Sequence, residues 1–127
     1  MAAVMTQHRQ FINLKITAVV LLFAILPLVS CTSHTERELK SGQAQSSSGN
    51  FREAIVHFEK VLIREPSSEL GVQAARDAAK VAYFDIKDFK KAAIFYQHLV
   101  LYSKDDKERL NSQKQIADIY FDQLNDY

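Results

Sequence analysis

Apolar residues recur three and four positions apart from Gly49 onward. Phe51, Ala54, Ile55, Phe58, Val61 and Leu62 form one stripe of a helix. Pro66 closes that helix, and Ser67 or Ser68 is placed to cap the next. The next helix, about 69–86, sets Leu70, Ala74, Ala75, Ala78, Ala82 and either Tyr83 or Phe84 at helical spacing. A last helix, about 106–124, puts Leu110, Ala117, Tyr120, Phe121 and Leu124 on an apolar side. Asn50 with Glu53, and Asp105 with Glu108, read as N-cap pairs, and Asp88 as a cap. No strand-like alternation competes, so the pattern predicts an all-α domain.

The first part of the chain follows another pattern. Met1 to Lys15 is polar overall, with Arg9 and Lys15 and no acid, and Ile16 to Val29 is apolar except for Thr17. Small Ser30 then precedes Cys31, the only cysteine of the chain. A basic stretch, a short apolar run and a small residue form the layout of a secretory signal peptide. A membrane span needs about 20 apolar residues, and this run is shorter and holds Pro27. Leu28-Val29-Ser30-Cys31 resembles the lipobox of bacterial lipoproteins. That resemblance implies a diacylglycerol thioether on Cys31, cleavage before it, and acylation, as by palmitate, of the new amino group. Thr32 in place of aspartate implies the outer membrane rather than the inner, facing the periplasm. The expected organisation is a signal peptide over 1–30, a polar tether or weak first helix over 31–48, and helical repeats over 49–127.

Those repeats are visible in the letters. GNFREAIVHFEKVL (49–62) and KDFKKAAIFYQHLV (87–100) align without gaps at an offset of 38 residues. Phe51 matches Phe89, Ala54 matches Ala92, Phe58 matches Tyr96 and Val61 matches Leu99. YFDIKDF (83–89) returns as YFDQLNDY (120–127) with one residue inserted. Recurrence at this period marks a repeat architecture. The segments resemble the tetratricopeptide repeat (TPR) family, carried by Gly42, Ala54, Phe58 and Pro66 in one unit and by Tyr83, Phe89, Ala92, Tyr96 and Leu99 in the next. The family's fold implies antiparallel helix pairs stacked as a short solenoid. Gln45, Lys80 and Lys104 depart from its pattern, and the unit exceeds the family's ~34 residues around EPSSELGVQAA. Anchor and repeats together are similar to envelope TPR lipoproteins of the outer-membrane protein assembly type. Asn125-Asp126-Tyr127 looks like a further inter-helix turn. The last helix is then either a solvating cap or part of a longer array, and the fullness of the turn signature favours the array. On that reading Ile116, Tyr120 and Leu124 form an apolar patch able to drive association.

Charge narrows the function. The signal segment holds two of the 16 basic residues and none of the 15 acidic ones, so the remainder carries 14 against 15, a net charge of −1. A balanced surface gives nucleic-acid binding no electrostatic footing. No Gly-rich phosphate loop, CxxC or HExxH occurs; His34, His57 and His98 are scattered, and the run Lys104 to Arg109 reads as a solvated turn. Asp85 and Asp88 flank an inter-helix turn rather than form an acid pair. A protein-binding scaffold is therefore expected, with no catalytic residue, metal or cofactor. The TPR resemblance implies a peptide groove along the first helix of each unit, holding other envelope proteins or peptides. By alignment it is lined by Ala74, Asp77, Val81, Phe84 and Asp85, then Ser112, Gln115, Ile119, Asp122 and Gln123. Asp77, Asp85 and Asp122 fit basic or mixed partners better than a peptide carboxylate. A structural tether without a groove ligand is the alternative.

Overall fold

The computed structural model describes residues 33–123, and the lipid-attachment residue expected at Cys31 and the turn expected at 125–127 lie outside them. Among the described residues the fold is all-α, with five helices and no strand. They are α1 (His34–Ser47), α2 (Phe51–Arg64), α3 (Glu69–Lys80), α4 (Phe89–Tyr102) and α5 (Asp106–Asp118). Two of them run on into wider π turns, α3 through Val81–Ile86 and α5 through Ile119–Gln123.

Helix boundaries are set by local chemistry. Ser33, Ser68, Asp88 and Asp105 each sit at a helix start and accept a bond from a first-turn N–H, at Glu36, Gly71, Lys91 and Lys107 respectively. The pairing expected of Asn50 with Glu53 does not form. Asn50 holds the N-cap position of α2, but its side chain donates to Gln45 Oε1 at 2.8 Å. Glu108 likewise leaves the Asp105 cap unanswered, because its carboxylate is taken elsewhere in the fold.

The turns between α1 and α2 and between α3 and α4 both use the left-handed backbone. Gly49 has φ 80° and Lys87, 38 positions on, has φ 61°. At the first turn the Asn50 N–H returns to Gln45 O. At the second, the Lys87 and Asp88 N–H groups both return to Ala82 O. These bonds satisfy carbonyls that a helix end otherwise leaves open. The two turns, 38 residues apart, thus each contain one left-handed residue.

Residues 31–48 had two readings, and over 34–47 the chain is helical. Composition hid this helix, because only Thr35, Leu39 and Gly42 of α1 are buried. Gly42 meets the ring of Phe58: a Cβ there would lie 2.6 Å from the nearest ring carbon. Close approach replaces apolar bulk, and Glu38 and Gln43 add bonds to neighbouring helices.

The main core runs through every helix pair. Phe58, Val61, Ala74, Ala78, Ala79, Ala82, Ala92 and Ile119 have no exposed surface. Alanines let α3 approach its neighbours closely, and Phe58 and Phe95 fill the space between. Lys80, which departs from the family's small residue, is exposed, and Ala78 and Ala79 beside it occupy the interior. Tyr83, rather than Phe84, turns inward, packing edge-on to Phe89 with ring centroids 5.4 Å apart.

The last helix buries a different side from the expected one. Leu110, Ala117, Tyr120 and Phe121 are exposed, while Ser112 and Ile119 are buried and Glu108, Gln115 and Ile116 half-buried. The side is chosen by the neighbours: Arg76 on α3 takes Glu108 inward, and Ile119 enters the main core.

Candidate functional site

The expected groove residues separate into three groups. Val81 is 4% exposed and Ile119 fully buried, so both serve the core and neither is open to a ligand. They stand 38 positions apart, each opening a π turn. Ala74 and Ser112 are buried as well. Ala74, Val81 and Ile119 pack into the main core, a consequence of helix–helix packing that alignment of letters does not carry.

Asp77 is half-buried and engaged. Its carboxylate accepts from Gln43 Nε2 of α1 at 2.9 Å and from Gln73 Nε2 at 3.1 Å. The third group remains open to solvent. Phe84 and Asp85 are exposed on the first π turn, and Asp122 and Gln123 on the second. Beside Asp85, Gln45, Asn50, Phe51, Arg52 and Ile86 line a surface hollow of about 660 Å³. Acid and base, Asp85 with Glu53 and Arg52, mix around it.

A side-chain network crosses α1, α3 and α5. From Asp77 it continues through Gln73 to Arg76, whose Nη1 donates to Gln73 Oε1 at 2.6 Å. Arg76 Nε then donates to Glu108 Oε1 at 2.6 Å and Nη2 to Glu108 Oε2 at 3.1 Å. The Ser103 hydroxyl donates to Glu108 Oε2 at 2.6 Å. The Arg76 guanidinium, helped by Ser103, holds the Glu108 carboxyl below the usual carboxylate range against the opposing effect of burial. The run Lys104 to Arg109 is therefore not wholly a solvated turn, since Glu108 anchors α5 to α3. Gln73, Arg76 and Asp77 at spacings of three and four were the sequence signal for this network.

A second network joins α1 to α2. His57 Nδ1 lies 2.7 Å from Glu38 Oε2, and Lys60 Nζ lies 3.5 Å from the same oxygen. The His57 hydrogen bond, with Lys60 adding to it, lowers the Glu38 carboxyl below its ordinary value. His98 Nε2 reaches the Pro66 carbonyl at 2.7 Å, which requires a proton on that nitrogen. Among the described residues no group of three or more His, Cys, Asp or Glu could hold a metal, and no buried side-chain N or O lacks a partner.

Comparison with protein-family models, curated proteins and solved structures finds no match to this chain. Among the described residues no helix is long and apolar enough to cross a membrane.

Proposed function

We propose that this chain is a lipid-anchored adaptor of the TPR type, facing the periplasm and holding protein partners at a bacterial envelope membrane. The observation that carries the adaptor reading is the paired turn at Gly49 and Lys87: two left-handed residues 38 apart, each between two helices. Serial helices of this kind present a continuous surface from repeat to repeat. Partner contact is assigned to Phe84, Asp85 and Asp122, which are among the exposed residues of the two π turns. Their acids favour a basic or mixed partner. Envelope or outer-membrane protein assembly is the proposed setting, resting on the lipobox-like LVSC and Thr32 after it.

Two experiments test this reading. Metabolic labelling with palmitate should mark the protein and be lost in Cys31→Ser; an unlabelled parent chain overturns the anchor. A photo-crosslinker at position 84 should trap one or a few dominant envelope proteins, and Asp85→Lys with Asp122→Lys should abolish the product.

A structural tether is the second reading. The side-chain network from Gln43 to Glu108 favours it, because it occupies Asp77 and links α1, α3 and α5. A diffuse crosslinking pattern, unchanged by the two lysines, would select it.

A further inference from the structure

α1 begins at His34, so only Thr32 and Ser33 separate Cys31 from a helix of the folded domain. From Cys31 to Ser33 the chain spans about 7 Å at most. A lipid on Cys31, the anchor on which this inference rests, therefore holds the start of α1 close to the bilayer.

The ends of α2 and α4 lie beside that start. α1 and α2 run antiparallel: Gly42 packs on Phe58, and Glu38, early in α1, lies 3.5 Å from Lys60, near the end of α2. α4 runs in the same direction as α2. Lys91 reaches Glu59 at 2.9 Å and, seven residues further along both segments, His98 reaches the Pro66 carbonyl at 2.7 Å. α3 and α5 start from this end too, directly after α2 and α4, so their π turns lie at the far end.

Each of the two helix ends projects an apolar side chain. Ile63 is 81% exposed and Leu101, its counterpart 38 positions on, is 63% exposed. Ile63 stays open although α4 packs beside α2, so stacking one helix pair on the next does not cover this row. Exposed residues suited to a boundary between water and lipid follow each of them, Arg64 after Ile63, then Tyr102 and Lys104 after Leu101. Nearby acids are partly engaged, since Asp105 caps α5 and Asp106 pairs with Arg109. Apolar insertion rather than net charge is thus what this end offers a membrane.

We propose that this end of the fold rests on the lipid bilayer, with Ile63 and Leu101 inserted at headgroup level and Arg64 and Lys104 on lipid phosphates. Phe84, Asp85 and Asp122 then point away from the membrane, where a partner can reach them.

The test uses the mature, lipidated chain in vesicles of phosphatidylethanolamine and phosphatidylglycerol. With Cys31 blocked by its thioether, Ile63→Cys, Leu101→Cys or Arg52→Cys supplies a single free thiol for an environment-sensitive fluorophore. All three positions are exposed, and Arg52 lies at the far end, at the start of α2. Labels at 63 and 101 should shift to the blue and be quenched by nitroxide-bearing lipids, at least about twofold more than the label at 52. Vesicle-bound protein whose three labels are quenched alike, or not at all, overturns the orientation and leaves the anchor standing. A blue shift at 63 and 101 that the nitroxide lipids do not quench also overturns it, because a protein surface then covers the two residues. Mass spectrometry that finds Cys31 unmodified removes the anchor and this inference with it.

Discussion

Arg76 grips Glu108 at two points, Nε to Oε1 at 2.6 Å and Nη2 to Oε2 at 3.1 Å, across the gap between α3 and α5. The planar fork of a guanidinium matches a carboxylate in this geometry. Ser103, buried at the α4–α5 connection, adds a third bond to the same carboxylate. The side of α5 that faces inward is thus fixed by a polar group as much as by Ile119.

Replacing Glu108 with glutamine keeps the shape and removes the charge. We expect a loss of about 1–2 kcal/mol in chemical denaturation, since the pair is only partly shielded from water. Arg76→Ala should cost a similar amount, and the double variant little more than either alone. Fully additive losses would show that the two side chains do not act as a pair.

Acid should weaken the fold through Glu108 and Glu38. Both carboxyls lie below their ordinary values in the folded protein, Glu108 through Arg76 and Glu38 through His57. A lowered folded pKa means stability that is complete above the unfolded carboxylate value of about 4.3 and lost as pH falls through the folded one. Thermal midpoints should therefore stay level through weakly acidic pH, as far as these two groups are concerned, and drop below about pH 4. In Glu108→Gln the acid-induced drop should be smaller.

At Gly42, α1 packs directly on the ring of Phe58 in α2. A Cβ there would meet Phe58 ring carbons at 2.6 and 2.8 Å, and the fully buried ring has no room to retreat. Gly42→Ala should destabilise by about 1–3 kcal/mol. Combining it with Phe58→Leu, which shortens the opposing side chain, should cost less than the sum of the two single changes.

The two left-handed turn residues make opposite predictions. At Gly49 a Cβ would meet nothing within 4 Å, so the penalty of Gly49→Ala is conformational alone, about 1 kcal/mol. Lys87 already bears that penalty, and Lys87→Gly should be neutral or stabilising by up to about 1 kcal/mol. A Gly49→Ala protein as stable as its parent would remove the role assigned to positive φ at this turn.

Much of the fold is written in local sequence. Ser68 and Asp88 announce helix starts, Pro66 follows the end of α2, and GNF and KDF mark turns that share a left-handed residue. These features are legible because a cap or a turn depends on a few consecutive residues. The stripe Ala54, Ile55, Phe58 and Val61 likewise selects its buried face without help, since all four lie on one side of α2. Which residues are open to a partner was a different matter. Val81 and Ile119 are buried in the main core, Asp77 is held by glutamines from two helices, and Leu110 and Phe121 lie outward while Ser112 lies within. α1 carries too few apolar residues to declare itself, and it is held by Gly42 against Phe58 and by Glu38 against His57. Those outcomes depend on side chains brought together from separate helices, so only packing in three dimensions decides them.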